Sequence, residues 1–182
     1  MRIGIDIDDT ITKTHEYVIY LKKKHLPEYN PYELLPDEIF KSFIDKYERD
    51  IHQNVELKNG VKEALDYIHE KGHKIIILSS RGSFYKTITE DTAYQDSYDY
   101  FIKNKLHFDK LYTNLKEKTE ICKEKKIDLF IDDNIKLCQS VEDAGIRVIK
   151  MFREDDKESN FEIAKNWQDI IKIITVSYTH LT

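Results

Sequence analysis

The chain has 182 residues and a mass of 21.8 kDa, the size of one compact domain with room for a small insert. Hydrophobic residues make up 40% of it, dense enough for a core, so wholesale disorder is excluded even though 35% of residues are charged. A net charge of −5 argues against binding a nucleic-acid polymer through a basic face, and no apolar run approaches the ~20 residues of a membrane-spanning helix.

The N-terminus begins like a strand and lacks the long apolar stretch and cleavage site of a signal peptide. With no secretory mark, Cys122 and Cys138 are expected to be free thiols in a reducing cytoplasm. Residues 2–7 (RIGIDI) form an apolar run that ends in Asp8-Asp9-Thr10. Residues 13–59 then break the strand-like pattern. Tyr17, Val18, Tyr20 and Leu21 suggest one helix, three prolines punctuate a connection, and Asp37 is placed to cap a second helix running to about 53. Ile39, Phe40, Phe43, Ile44, Tyr47 and Ile51 give that helix an apolar stripe.

From residue 61 the chain alternates. A helix over 61–71, set between Asn59-Gly60 and Gly72, leads into an apolar run at 74–78 (KIIIL) that ends in Ser79-Ser80-Arg81. Helical patterns over 89–104, 117–125 and 135–144 separate strand candidates at 109–113, 127–131 (IDLFI) and 146–151. The run at 127–131 ends in Asp132-Asp133-Asn134. Residues 161–174 read as a closing amphipathic helix with Ile163, Trp167, Ile170 and Ile171 facing inward. Residues 176–182 share neither its pattern nor its composition and read as a non-native or frayed tail. The isoleucine-rich runs have too little alternation for half-exposed strands, so they predict a doubly wound, mostly parallel α/β sheet. The core then comprises 1–12 and 60–175, with a small all-helical cap at 13–59 inserted after the first strand.

Ligands of such a sheet gather at the carboxyl ends of its strands. Right-handed crossovers bring the Asp6, Asp8 and Asp9 group to the same edge as Asp132 and Asp133. Two carboxylates ~4 Å apart repel by ~4 kcal/mol at an effective dielectric of 20, so several together call for a cation. Hard oxygen ligands without converging imidazoles or thiolates suit Mg²⁺. The sequence His69-Glu70-Lys71-Gly72-His73 matches H-E-x-x-H, but Gly72 is placed to end the helix between the two histidines, so we read it as a chance match. Tyr94, Tyr98, Tyr100 and Phe101 read as a packing face rather than a base-stacking platform.

Asp6-Ile7-Asp8-Asp9-Thr10 after an apolar strand resembles the first motif of the haloacid dehalogenase superfamily, DxDx(T/V). Ser79 after KIIIL, Lys118 at a helix start and Asp132-Asp133 after DLFI are similar to its second, third and fourth motifs, in order, over residues 1–150. KGHKIIILSSR and KIDLFIDDN resemble the 5′-nucleotidase-related branch with a helical cap. The resemblance implies a Mg²⁺-dependent phosphomonoesterase for a small phosphometabolite, such as a nucleoside 5′-monophosphate. Asp6 would be the nucleophile and Asp8 the general acid and base. The metal would lie on the Asp6 carboxylate, the Asp8 backbone carbonyl and Asp132, and the phosphate on Ser79, Ser80 and Lys118. Lys116 also precedes the helix and stays a candidate for the lysine, and Arg81 would either clamp phosphate or pair with a rim carboxylate. Asp9 stands where the superfamily often has Gly. A sugar phosphate substrate and a non-catalytic, phosphorylatable Asp-pocket switch are the alternatives.

Overall fold

The computed structural model describes residues 1–83, 88–153 and 161–179, with side chains to 176. Its elements alternate strictly only from α3 to β5: β1 (Arg2–Ile5), α1 (Thr14–His25), α2 (Asp37–Asn54), α3 (Val61–Glu70), β2 (Lys74–Leu78), α4 (Glu90–Lys103), β3 (Lys110–Tyr112), α5 (Lys118–Glu124), β4 (Leu129–Asp132), α6 (Ile135–Asp143), β5 (Arg147–Met151), β6 (Glu162–Ala164) and α7 (Trp167–Thr179). The six strands form one sheet in the order β3-β2-β1-β4-β5-β6. Every pairing is parallel. Strand order reverses across β1, so β1 and β4 flank the switch point where such sheets bind ligands.

Side chains alternate across the two faces, as strand geometry requires. Ile3, Ile5, Ile75, Ile77, Leu129 and Ile131 enter one buried cluster, with α3 residues Ala64, Leu65 and Ile68 and α7 residues Trp167 and Ile170. Ile76, Leu78, Phe130 and Val148 enter a second cluster, with Cys122 of α5 and Cys138 of α6. The sheet is therefore covered on both faces, and both cysteines are buried free thiols. Gly4 lies on the second face, where a Cβ would come within 3.1 Å of Leu78 Cδ1 and 3.2 Å of Phe130 Cδ2. Its missing side chain lets neighbouring strands fill the centre of that layer.

Between β1 and α3 the chain leaves the sheet as α1 and α2. These pack on each other through a separate apolar cluster of Leu21, Leu35, Phe43 and Ile51. The way out and the way back are adjacent. Thr12 and Leu57 form an isolated antiparallel bridge, Lys13 N–H donates to Glu56 O at 2.9 Å, and Lys58 N–H donates to Ile11 O at 2.9 Å. Arg49 and Gln53 of α2 then reach Asp96 on α4, at 2.8 and 2.7 Å to Oδ1, and tie the helical pair to the sheet's own helices.

Three expectations need correction. The cap position of α2 is held by Pro36 rather than Asp37, which is the first helical residue, and no side chain caps that end. Residues 161–174 are not one helix. Glu162–Ala164 add the edge strand β6, leaving Ile163 37% exposed, and the helix starts only at Trp167. The helical period there was carried by Trp167, Ile170 and Ile171, and three residues are too few to declare a strand. α7 also runs on through Thr179, so the segment set apart at 176–182 begins inside that helix, and 180–182 lie outside the described residues.

The H-E-x-x-H decoy separates as expected. α3 stops at Glu70, Gly72 turns the chain with φ +77°, His69 stacks on His107 and His73 lies beside the N-terminal amine. Tyr100 and Phe101 are core residues, as the packing reading expects, but Tyr94 and Tyr98 are exposed, so only half of that set packs inward. Among the described residues, no helix is long and apolar enough to cross a membrane.

Candidate active site

Parallel pairing of β1 with β4 in the register Ile5↔Ile131 puts the next residues of both strands side by side at the carboxyl edge. Asp6 N–H donates to Ile131 O at 3.0 Å, which continues the ladder by one step and fixes Asp6 beside Asp132. Asn134 then caps α6, its Oδ1 accepting from the N–H groups of Lys136 and Leu137, and so ends the strand in a tight turn after Asp132-Asp133. Carboxylate oxygens of Asp6, Asp132 and Asp133 lie within 4.8 Å of one another, and all three residues are buried.

Lys118, at the first turn of α5, places its ammonium between two of them. Nζ lies 2.5 Å from Asp6 Oδ1 and 3.0 Å from Asp132 Oδ2. Burial disfavours its charge, but Asp6 and Asp132 more than compensate and raise its pKa. Lys116 is exposed, so Lys118 is the lysine brought to the carboxylates. Arg153 Nη1 reaches Asp133 Oδ2 at 3.0 Å, and Lys118 and Arg153 together still do not balance three carboxylates. Burial pushes the Asp6 carboxyl well above its usual range, Lys118 pulls it down, and Asp132 and Asp133 push it up again. Burial, with Asp132 and Asp9, also pushes Asp133 up to about 6. This residual repulsion between hard oxygen donors is what a divalent cation relieves, so the residues present fit Mg²⁺. Asp133 joins Asp6 and Asp132 in the cluster, whereas the Asp8 carboxylate does not.

Asp8 instead turns toward Arg81 and α1. Arg81 grips it through Nε and Nη2, and Thr14 Oγ1 donates to Asp8 Oδ1 at 2.7 Å. Burial opposes its ionisation, but Arg81's charge and hydrogen bonds outweigh that and hold the carboxyl well below the usual range. Of the two roles left open for Arg81, this conformation has it paired with a carboxylate. The third Arg81 nitrogen, Nη1, donates to His52 O on α2 at 3.2 Å. Asp9 takes up the left-handed conformation with φ +59°, which accounts for a position where glycine is common. Its carboxylate accepts from His15 N–H at 2.7 Å and so does for α1 what its own cap residue, Lys13, does not.

Ser79 is fully buried. Its Oγ accepts from Arg81 N–H at 3.2 Å, while Ser80 lines the open space. That space is a cleft of about 350 Å³ with the carboxylates and Lys118 on one side. Val18 of α1 and Ile44, Glu48, Ile51 and His52 of α2 line it as well. Tyr17, Tyr20, Phe40 and Phe43 are not among its lining residues; Tyr17 stacks on Tyr20, and Phe43 is buried between the helices. Sequence reasoning did not single out Thr14, Glu48 or His52. Only the crossing of α2 over the strand ends brings Glu48 and His52 to the cleft, and no local spacing announces that.

Comparisons with known proteins agree with this architecture. No family model matches the chain. A Bacillus subtilis (strain 168) protein named "Putative nucleotidase YqfW" is 27% identical over an alignment 196 positions long, gaps included, that covers 100% of this chain and 97% of the relative. Among solved structures, a HAD-superfamily hydrolase from Ehrlichia chaffeensis superposes with a TM-score of 0.59 at 17% identity, covering 96% of each chain. A predicted phosphatase from Clostridium acetobutylicum superposes with a TM-score of 0.66 at 13% identity, covering 96% of this chain and 98% of its own. The chain has the fold of these haloacid dehalogenase-like structures.

Proposed function

We propose that this chain is a Mg²⁺-dependent phosphomonoesterase that hydrolyses a small phosphorylated metabolite, in the first instance a nucleoside 5′-monophosphate. One observation carries the reading. Asp6, at the end of β1, is held by the buried ammonium of Lys118 in the same cleft as Asp8, two residues on. A carboxylate fixed at its oxygen beside a buried cation is a nucleophile aimed at an anion, and a second carboxyl within reach can move the proton. The relative named a nucleotidase supports the substrate class.

In the first half of the reaction an Asp6 oxygen attacks phosphorus, the P–O bond to the leaving alcohol breaks, and Asp8 gives its proton to that alcohol oxygen. In the second half water attacks the aspartyl-phosphate, Asp8 takes the water's proton, and Asp6 and inorganic phosphate are released. Lys118, with Ser80 and the backbone after β2, neutralises and orients the phosphoryl oxygens. Mg²⁺ held by Asp6, Asp132 and Asp133, with the Asp8 carbonyl, would supply the remaining charge neutralisation on those oxygens. Arg81 favours the Asp8 carboxylate, the form the second half needs. A phosphate that draws Arg81 away leaves Asp8 in a buried setting that favours the acid form the first half needs.

The test is steady-state hydrolysis of p-nitrophenyl phosphate and a panel of nucleoside and sugar monophosphates, with Mg²⁺ and with EDTA. Multiple turnovers that need Mg²⁺ and disappear in Asp6→Asn support the reading. A single stoichiometric phosphorylation without turnover would instead mark a phosphorylatable switch.

A further inference from the structure

The outward half of the aromatic set on α4 belongs to an ordered row. Asp91, Tyr94, Tyr98, Ile102 and Lys105 follow one another at steps of three, four, four and three, which on a helix sets them along one line of its surface. Lys105 lies just past the helix end, where its N–H donates to Ile102 O at 3.1 Å and continues the turn. All five residues are exposed, Tyr94 at 42%, Tyr98 at 37% and Ile102 at 55%. The other side of α4 is taken up. Ala93, Ser97 and Phe101 are buried, Asp96 accepts from Arg49 and Gln53 of α2, and Tyr100 Oη donates to Val55 O at 2.7 Å. The helix also packs on β3, the edge strand, so its outer line runs along the margin of the sheet.

The two tyrosines are held in place. Their rings stack with centroids 6.1 Å apart, and Tyr98 meets Phe108 edge-on at 5.8 Å. Aromatic rings already fixed by neighbours lose little freedom when a partner covers them, and they are the side chains that anchor protein interfaces. Scattered exposed apolar residues are ordinary, whereas a contiguous row of them marks a contact surface.

The order of the row identifies the partner. From Tyr98 it extends equally both ways, with an apolar residue at the first step and a charge at the second, and the two end charges are opposite. A two-fold axis at Tyr98 turns the row end for end. Each Tyr94 then meets an Ile102, each Asp91 meets a Lys105, and the two helices run antiparallel with their dipoles opposed. A parallel arrangement would set Asp91 on Asp91 and Lys105 on Lys105, which like-charge repulsion disfavours.

We propose that the outer face of α4 is an isologous interface between two copies of this chain, centred on Tyr98, with Tyr94 against the partner's Ile102 and Asp91 against the partner's Lys105. The proposal goes beyond the phosphomonoesterase reading and does not rest on it. One helix face makes a small interface, so the association is weak, with Kd in the micromolar range.

Sedimentation equilibrium over a concentration series tests this without any turnover. The wild type should move from 21.8 kDa toward twice that mass as concentration rises. Asp91→Lys and Lys105→Asp each put like charges at both ends of the interface, and each should raise Kd at least about tenfold. Their equimolar mixture should recover wild-type association, because both ends of the mixed dimer again join opposite charges. Ile102→Lys, which sets a charge against Tyr94, should weaken the dimer by at least about tenfold as well. All three positions are exposed, and recovery in the mixture shows directly that the two charge variants are folded.

A wild type that stays at 21.8 kDa up to its solubility limit would overturn the proposal and leave the face to a different protein. A dimer indifferent to all three substitutions would lie on another face and overturn it too. Charge variants that weaken association but do not rescue each other would rule out the antiparallel two-fold. Loss of the phosphatase reading would change none of these outcomes.

Discussion

Arg81 holds Asp8 by both carboxylate oxygens, Nη2 to Oδ1 at 2.8 Å and Nε to Oδ2 at 3.0 Å. The guanidinium side chain is 1% exposed, while the carboxylate is 33% exposed toward the cleft. Deleting the arginine leaves a charge in a site that burial disfavours, but water reaching Asp8 through the cleft screens part of the penalty. Arg81→Ala should therefore destabilise the fold by about 2 kcal/mol. Adding Asp8→Asn should return at least ~1 kcal/mol of that, because the orphaned charge is then gone. Urea unfolding of the two single variants and the double variant at pH 7 measures the coupling, and strictly additive values would show that the pair is not energetically linked.

The role of Asp6 predicts a loss in rate rather than in fold. Asp6→Asn keeps the shape of the side chain but removes the nucleophile, and kcat should fall by about 10⁴ or more. Asp8→Asn should cut turnover ~10²–10⁴-fold while Mg²⁺ still binds, since only the Asp8 backbone is assigned to the metal. Near-normal turnover in Asp6→Asn would end the covalent mechanism. Lost Mg²⁺ binding in Asp8→Asn, with metal-saturated turnover unchanged, would reverse the two assignments.

Three buried carboxylates against two cations, Lys118 and Arg153, predict that the metal stabilises the fold. A ligand that binds only the folded form adds RT ln(1 + [Mg²⁺]/Kd), about 2.7 kcal/mol at a hundredfold excess over Kd. Thermal melting at fixed ionic strength should show Tm rising with Mg²⁺ in the wild type. Asp132→Ala should abolish most of that rise. Asp132 also accepts from Lys118 and from Asn134 N–H at 2.8 Å, so its loss removes repulsion and hydrogen bonds together, and the metal-free variant should melt close to the wild type. A wild type whose melting ignores Mg²⁺ and whose activity survives EDTA would contradict the metal assignment.

The tie between α2 and α4 has its own pH signature. Burial pushes the Asp96 carboxyl up, but hydrogen bonds from Arg49 and Gln53 outweigh this and hold it below its usual range. A carboxyl depressed in the folded state contributes stability above its unfolded pKa of about 3.9 and loses it as pH falls through the lower folded value. Asp96→Asn should therefore cost about 1–2 kcal/mol at pH 7, and the difference from wild type should shrink below pH ~4. Equal differences at pH 7 and pH 3 in chemical unfolding would show that the ion pair is not the source.

The sheet was legible because its strands are buried on both faces and so appear as short isoleucine runs, each ending in Asp or Ser at one edge. The same runs placed Asp6, Ser79 and Asp132 without any three-dimensional information. Lys118 was legible only as one of two lysines, because what separates it from Lys116 is which way the first turn of α5 faces. His52 and Glu48 were not legible at all. They lie on α2 at a helical spacing that looks like ordinary surface until Arg81 and Asp96 fix where that helix crosses the cleft. Strand β6 was missed for a different reason, since three residues on an edge have no period to read.

The Nε1–H of Trp167, at the start of α7, donates to the carbonyl of Thr10 at 3.0 Å, a partner 157 residues earlier in the chain. On the ribosome the loop bearing Asp6 and Asp8 is made well before Trp167, and its backbone gains this buried partner only once Trp167 has been made. Asp132 and Lys118 also arrive late. A growing or interrupted chain thus carries Asp6 and Asp8 without the Trp167 anchor, the Lys118 ammonium or the Asp132 carboxylate beside them. The proposed site is assembled only once the chain has been made as far as Trp167, so a fragment that stops short of it should hold the Asp6 loop loosely.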